Sequence, residues 1–88
     1  MVRRRVVVRG RVQGVFFRDS CRRIAQEHGV AGAAANLPDG TVGIILEGEP
    51  EAVDAVIEWC RSGPSYADVD AVEVSEEEPE GLEGFSTG

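Results

Sequence analysis

Two stretches of helical periodicity, separated by strand-like segments, limit what this chain can fold into. Phe17, Cys21, Ile24, Ala25 and His28 recur at the spacing of one helix face, with Arg22, Arg23, Gln26 and Glu27 on the other. Gly29 follows, where a glycine commonly closes a helix. Val53, Val56, Ile57 and Cys60 form a second stripe. Pro50 suits the first turn of that helix, and Ser62-Gly63-Pro64-Ser65 stops it.

The segments around the two helices read as strands. Val6-Val7-Val8, ending at Gly10, is a β-branched run suited to a buried strand. Val30 to Asn36 is a weaker, alanine-rich strand, turned by Pro38-Asp39-Gly40 into a strong one over Val42 to Leu46. Val69 to Val74 gives a last long strand, and Leu82 with Phe85 marks a short docking segment, a candidate fifth edge strand. The order strand, helix, strand, strand, helix, strand predicts an α+β fold of the ferredoxin-like, split βαβ kind. Its four-stranded antiparallel sheet would carry two antiparallel helices on one face. Residues 1–88 are too few for more than one domain.

Composition excludes several functions. The charged fraction of 28% and the short apolar runs leave no membrane span. Met1 to Arg9 is followed by no apolar stretch typical of a signal peptide, so a cytoplasmic protein is expected. Nothing demands more than a monomer. The net charge of −7 conceals an asymmetry, because eight of the nine basic residues fall between Arg3 and Arg23, where Asp19 is the only acid. One end of the molecule is therefore expected to attract anions. Cys21 and Cys60 are too few for a metal site and read as small buried apolar side chains. The fold puts them at the same end of the helix layer, where a disulfide is conceivable but disfavoured in a reducing compartment. No metal and no cofactor is expected.

Chemistry concentrates in Gly10-Arg11-Val12-Gln13-Gly14-Val15-Phe16-Phe17-Arg18, which joins the first strand to the first helix. Such a loop can turn successive backbone N–H groups inward as an anion nest, backed by the positive end of the helix dipole. Arg18, in the first helical turn, can fork onto two phosphate oxygens. The segment lacks the Gly-Lys-Ser/Thr ending of a nucleotide P-loop and the three-glycine dinucleotide fingerprint. On these residues alone, a phosphate cradle and a plain tight connector are both open.

The segment resembles the first signature of the acylphosphatase family, apolar-x-Gly-x-Val-Gln-Gly-Val-x-Phe-Arg. Val8, Gly10, Val12, Gln13, Gly14, Val15, Phe17 and Arg18 match it. The family's second signature is Gly-aromatic-small-x-Asn-x-x-x-Gly-x-Val with a further glycine six residues on. Gly32, Asn36, Gly40, Val42 and Gly48 match that one. The resemblance implies hydrolysis of acyl phosphates to carboxylate and inorganic phosphate, in one domain of this fold. It assigns Arg18 to phosphate binding and Asn36 to placing the attacking water, with the backbone N–H groups of Gln13, Gly14, Val15, Phe16, Phe17 and Arg18 as the cradle. One position departs: Ala33 stands where the family has an aromatic, which puts the packing behind Asn36 in question.

The implied substrate explains so sparse a site. A carboxylate leaving group departs without protonation, so no general acid is needed, and the work is charge stabilisation and orientation. His28 lies about 15 Å along the helix from Arg18, too far to take part. Two other classes share the strand-helix order. A phosphate-binding module without turnover would fit the Ala33 departure. An RNA-recognition domain would stack bases on sheet aromatics, and no Tyr, Trp or Phe lies in a candidate central strand. The expected partners are thus small acyl phosphates and phosphate, with no nucleic acid and no membrane.

Overall fold

A computed structural model describes residues 1–88. Its elements are β1 (Val2–Arg11), α1 (Phe17–Glu27), β2 (Ala31–Asn36), β3 (Val42–Gly48), α2 (Pro50–Cys60), β4 (Asp68–Glu77) and β5 (Phe85–Thr87). The strands form one sheet in the order β4-β1-β3-β2-β5. The first four pair antiparallel, as the element order predicts. The candidate fifth strand is real, and it runs parallel to β2, pairing Gly32 with Phe85 and Ala34 with Thr87. The sheet is therefore mixed, and the fold is ferredoxin-like α+β with two helices packed on it.

Alternation along the strands sorts the side chains. Val6 and Val8 of β1, Val42, Ile44 and Leu46 of β3, and Ala34 of β2 are buried. They form one cluster with Phe17, Cys21 and Ala25 of α1 and with Val53, Val56, Ile57 and Cys60 of α2. Each large apolar side chain so buried contributes about 1.5–3 kcal/mol. Phe17 and Trp59 lie with ring centroids 5.2 Å apart, tying the start of α1 to the end of α2. The predicted stripes are thus the core faces. His28 is the exception: it sits at the C-terminal cap of α1 and is exposed.

Cys21, on α1, and Cys60, on α2, are buried free thiols. The neighbouring Cys21 thiol, followed by burial, pushes the Cys60 thiol far above its usual range. No helix is long and apolar enough to cross a membrane.

A second, charged cluster, which no local pattern announces, lies on the opposite face of the sheet. Arg3 is 7% exposed and Glu47 2% exposed, and they form an ion pair of 2.6 Å. Arg3 also binds Glu77, its cross-strand partner, at 2.8 Å. Glu47 accepts three further bonds from the backbone N–H groups of Glu80, Gly81 and Leu82, at 2.9, 3.0 and 3.1 Å. This saturation is what makes a buried carboxylate tolerable. The Glu80 amide leads in pulling the Glu47 carboxyl down to about 2; desolvation opposes it, and Arg3 and the other two amides assist. The clamp fixes the segment that leads into β5.

Candidate active site

The loop between β1 and α1 has an unusual backbone. Gly14 has φ 73° and Phe16 has φ 66°, so two residues with one between them sit in the left-handed region. Alternation of this sort points consecutive N–H groups to one side of the chain. None of the backbone amides from Gln13 to Arg18 donates to a backbone carbonyl. Phe16 caps α1 with no side-chain hydrogen bond, so the first-turn donors stay free.

The loop borders a cavity of about 320 Å³, lined by Val12, Gly14, Phe16, Phe17, Arg18, Asp19, Asn36 and Thr87. Of the residues picked out in the sequence, Gly14, Phe16, Phe17, Arg18 and Asn36 meet there. Gln13 and Val15 do not line it. Val15 is 5% exposed and turns into the core. Gln13 instead sends its side-chain amide across to the β2–β3 turn, where Nε2 donates to the carbonyls of Leu37 at 2.8 Å and Thr41 at 2.9 Å. The turn braces itself too, with Asp39 Oδ1 accepting from the Thr41 amide at 3.0 Å and from its hydroxyl at 2.6 Å. Gln13 therefore fastens the loop to the residue that follows Asn36.

Ion pairs take up much of the basic segment read from the sequence, and leave Arg4, Arg11 and Arg18 outside them. Arg3, Arg5, Arg9, Arg22 and Arg23 are all within 4 Å of carboxylates. Arg18 is in no ion pair; its Nη1 donates to the Gly88 carbonyl at 3.0 Å, leaving its other donors open. Asp19, the one acid at the cavity, is held by Arg22 at 2.6 Å. The site's positive charge is thus one guanidinium outside any ion pair, beside free amides. No group of three His, Cys, Asp or Glu residues is placed to hold a metal ion.

Thr87 and Gly88 reach the site only because β5 docks beside β2, and the sequence carries no motif for them. The Ala33 departure falls elsewhere than anticipated. Ala33 pairs with Ile45 and Ser86, and alternation puts it on the sheet face away from the helices, opposite to Ala34 and Asn36. The missing aromatic leaves the helix-side packing behind Asn36 untouched.

Comparison with known proteins matches this geometry to one family. The Acylphosphatase family model covers residues 4–87. The acylphosphatase of Thermococcus kodakarensis is 56% identical over 84 residues, spanning 96% of this chain and 92% of its own. The crystal structure of acylphosphatase from Bacillus subtilis superposes with a TM-score of 0.97 at 35% identity, covering 100% of this chain and 99% of that one. Full-length HypF, solved in a phosphate- and nucleotide-bound form, gives a TM-score of 0.92 at 31% identity, with 99% of this chain matching 12% of HypF. The chain belongs to the acylphosphatase family, whose members are hydrolases of acyl phosphates.

Proposed function

We propose that Arg18 holds the phosphoryl group of an acyl phosphate and that Asn36 places the attacking water. The observation that carries this reading is the convergence of Arg18, on α1, and Asn36, at the end of β2, on one cavity walled by the Gly14–Phe16 loop. The free amides from Gln13 to Arg18 complete a cradle for three phosphoryl oxygens. The guanidinium and the amides stabilise charge developing on those oxygens. The Asn36 side-chain oxygen accepts a hydrogen bond from the water and aims it at phosphorus. The water oxygen then bonds to phosphorus while the bond from phosphorus to the acyl oxygen breaks, its electron pair leaving on the carboxylate. An amide is a poor base, so the water's proton passes to a phosphoryl oxygen.

In this scheme the guanidinium and the amides supply the positive charge, so the reaction needs neither a metal nor a cofactor. Residues 1–88 act as one domain, supported by a single core cluster that draws on both helices and the sheet. A monomer suffices because one chain supplies every cavity residue.

The test is hydrolysis of benzoyl phosphate in the presence of EDTA, comparing the wild-type protein with Arg18→Ala and Asn36→Ala. Removing one oxyanion donor typically costs about 100- to 1,000-fold in kcat, so both variants should fall at least that far while melting like the wild type. Full activity in either folded variant would refute the role assigned to that residue. Loss of wild-type activity in EDTA, restored by a divalent ion, would refute the metal-free scheme.

A further inference from the structure

Phe16 is the only residue other than glycine with a positive φ, at 66°. A bulky L side chain is disfavoured there, and such strain persists mainly where surrounding structure and function hold it. Glycine would relieve it at no cost to the core, because Phe16 is 71% exposed and belongs to no core cluster. The ring does not cap the helix either. It does line the cavity that holds Arg18 and Asn36. The other apolar residues of that cavity, Val12 and Phe17, are 1% and 2% exposed and offer almost no surface. Phe16 is therefore the apolar wall of the site.

On the reading of the loop as a cradle, a phosphate among its amides would present its acyl group to this same cavity. We propose that Phe16 is a specificity-determining residue whose ring receives the acyl group, so that the site favours aromatic and bulky apolar acyl phosphates over acetyl phosphate. This inference rests on the reading of the loop as a phosphate cradle. Packing one ring against another adds a modest preference to simple area burial, and an exposed ring at a cavity mouth keeps much of its contact with water when free. The contact helps substrate binding and leaves the phosphoryl chemistry to Arg18 and Asn36.

The experiment is steady-state kinetics with benzoyl phosphate and acetyl phosphate on the wild type, Phe16→Tyr, Phe16→Gly and Phe16→Asn. Glycine and asparagine both accept the left-handed backbone, so the ring is removed without adding strain. In both, the ratio of kcat/KM for benzoyl over acetyl phosphate should fall about 3- to 10-fold, mostly through KM for benzoyl phosphate. Phe16→Tyr should keep the ratio. Inhibition by inorganic phosphate, which has no acyl group, should shift less than KM for benzoyl phosphate. An unchanged ratio in the glycine and asparagine variants would overturn this inference alone. Equal losses on both substrates would overturn it as well, by assigning the ring to loop geometry. Absence of turnover of either substrate by the wild type would overturn the hydrolytic reading and this inference with it.

Discussion

Gln13 offers the sharpest test of how the site is assembled. Its Nε2 donates both hydrogens, one to Leu37 and one to Thr41, so a single amide spans the two ends of the β2–β3 turn. Two carbonyl acceptors fix which way the amide must face. A neutral hydrogen bond nets about 0.5–1.5 kcal/mol, and one of these bonds is exposed, so Gln13→Ala should cost about 1–2 kcal/mol. For a domain of this size that is about 4–16 °C in Tm. Gln13→Glu should be worse, although it is closer in shape. An ionised carboxylate only accepts, and here it would face two carbonyl oxygens. Protonation restores one donor, so the Tm deficit of Gln13→Glu relative to the wild type should shrink between pH 7 and pH 4. Because Leu37 follows Asn36, loosening the turn also displaces the residue proposed to hold water. A misplacement near 1 Å costs about 100-fold in rate, so kcat on benzoyl phosphate should drop about 10- to 100-fold in Gln13→Glu. Thermal melts and kinetics on the two variants decide the matter. A Gln13→Glu protein as stable and as active as Gln13→Ala, or better, would refute the brace.

The buried clamp predicts an acid-sensitive fold. Glu47 titrates near 2 in the fold against an ordinary value of 4.5, so its contribution is complete above about 4.5 and vanishes as pH falls through about 2. The Tm gap between wild type and Glu47→Gln should therefore narrow from pH 6 to pH 2, and a gap that stays constant in thermal melts would count against it. Gly32 lies so close to the Ile45 carbonyl oxygen that a Cβ there would overlap it, with the Phe85 ring only 3.1 Å away. Gly32→Ala should push β2 off β3 and displace two or more ladder bonds, costing at least about 2 kcal/mol. Urea unfolding with an unshifted midpoint would contradict this. Cys21 and Cys60 are both fully buried, and the neighbouring Cys21 thiol together with burial keeps Cys60 protonated. Both thiols should react with Ellman's reagent at pH 8 only as fast as the protein unfolds, and rapid labelling of the native protein would show the helix pair to be open.

Local periodicity made most of the fold legible. The stripes from Phe17 to Ala25 and from Val53 to Cys60 are the buried faces of α1 and α2, because a core-facing helix needs apolar residues at that spacing. The loop before Arg18 was legible for a related reason, since glycines and a helix start leave amides without partners. What escaped was non-local. Phe85 marked β5 as an edge strand, but three residues are too few to show which strand it joins or that it runs parallel to it. Glu47 ends an apolar run, where a carboxylate ordinarily means solvent, and only the folded chain brings Arg3 and the amides of residues 80–82 to it. Gln13 was read only for its backbone amide, whereas its side chain acts on a turn 24 residues away.

These non-local pieces bear on the site as a group. Glu47 pins the segment before β5, β5 brings Thr87 to the cavity and Gly88 to Arg18, and Gln13 pins the turn after Asn36. A buried carboxylate on the far face of the sheet is thus linked through one short strand to the guanidinium on the near face. The Gly88 carbonyl occupies one donor of Arg18 and restrains a side chain with many rotamers, which lowers the entropy lost when phosphate arrives. Gln13 does the same for the loop and the turn. The sparse motif of one arginine and one asparagine can then suffice, because its precision comes from residues that never touch the substrate.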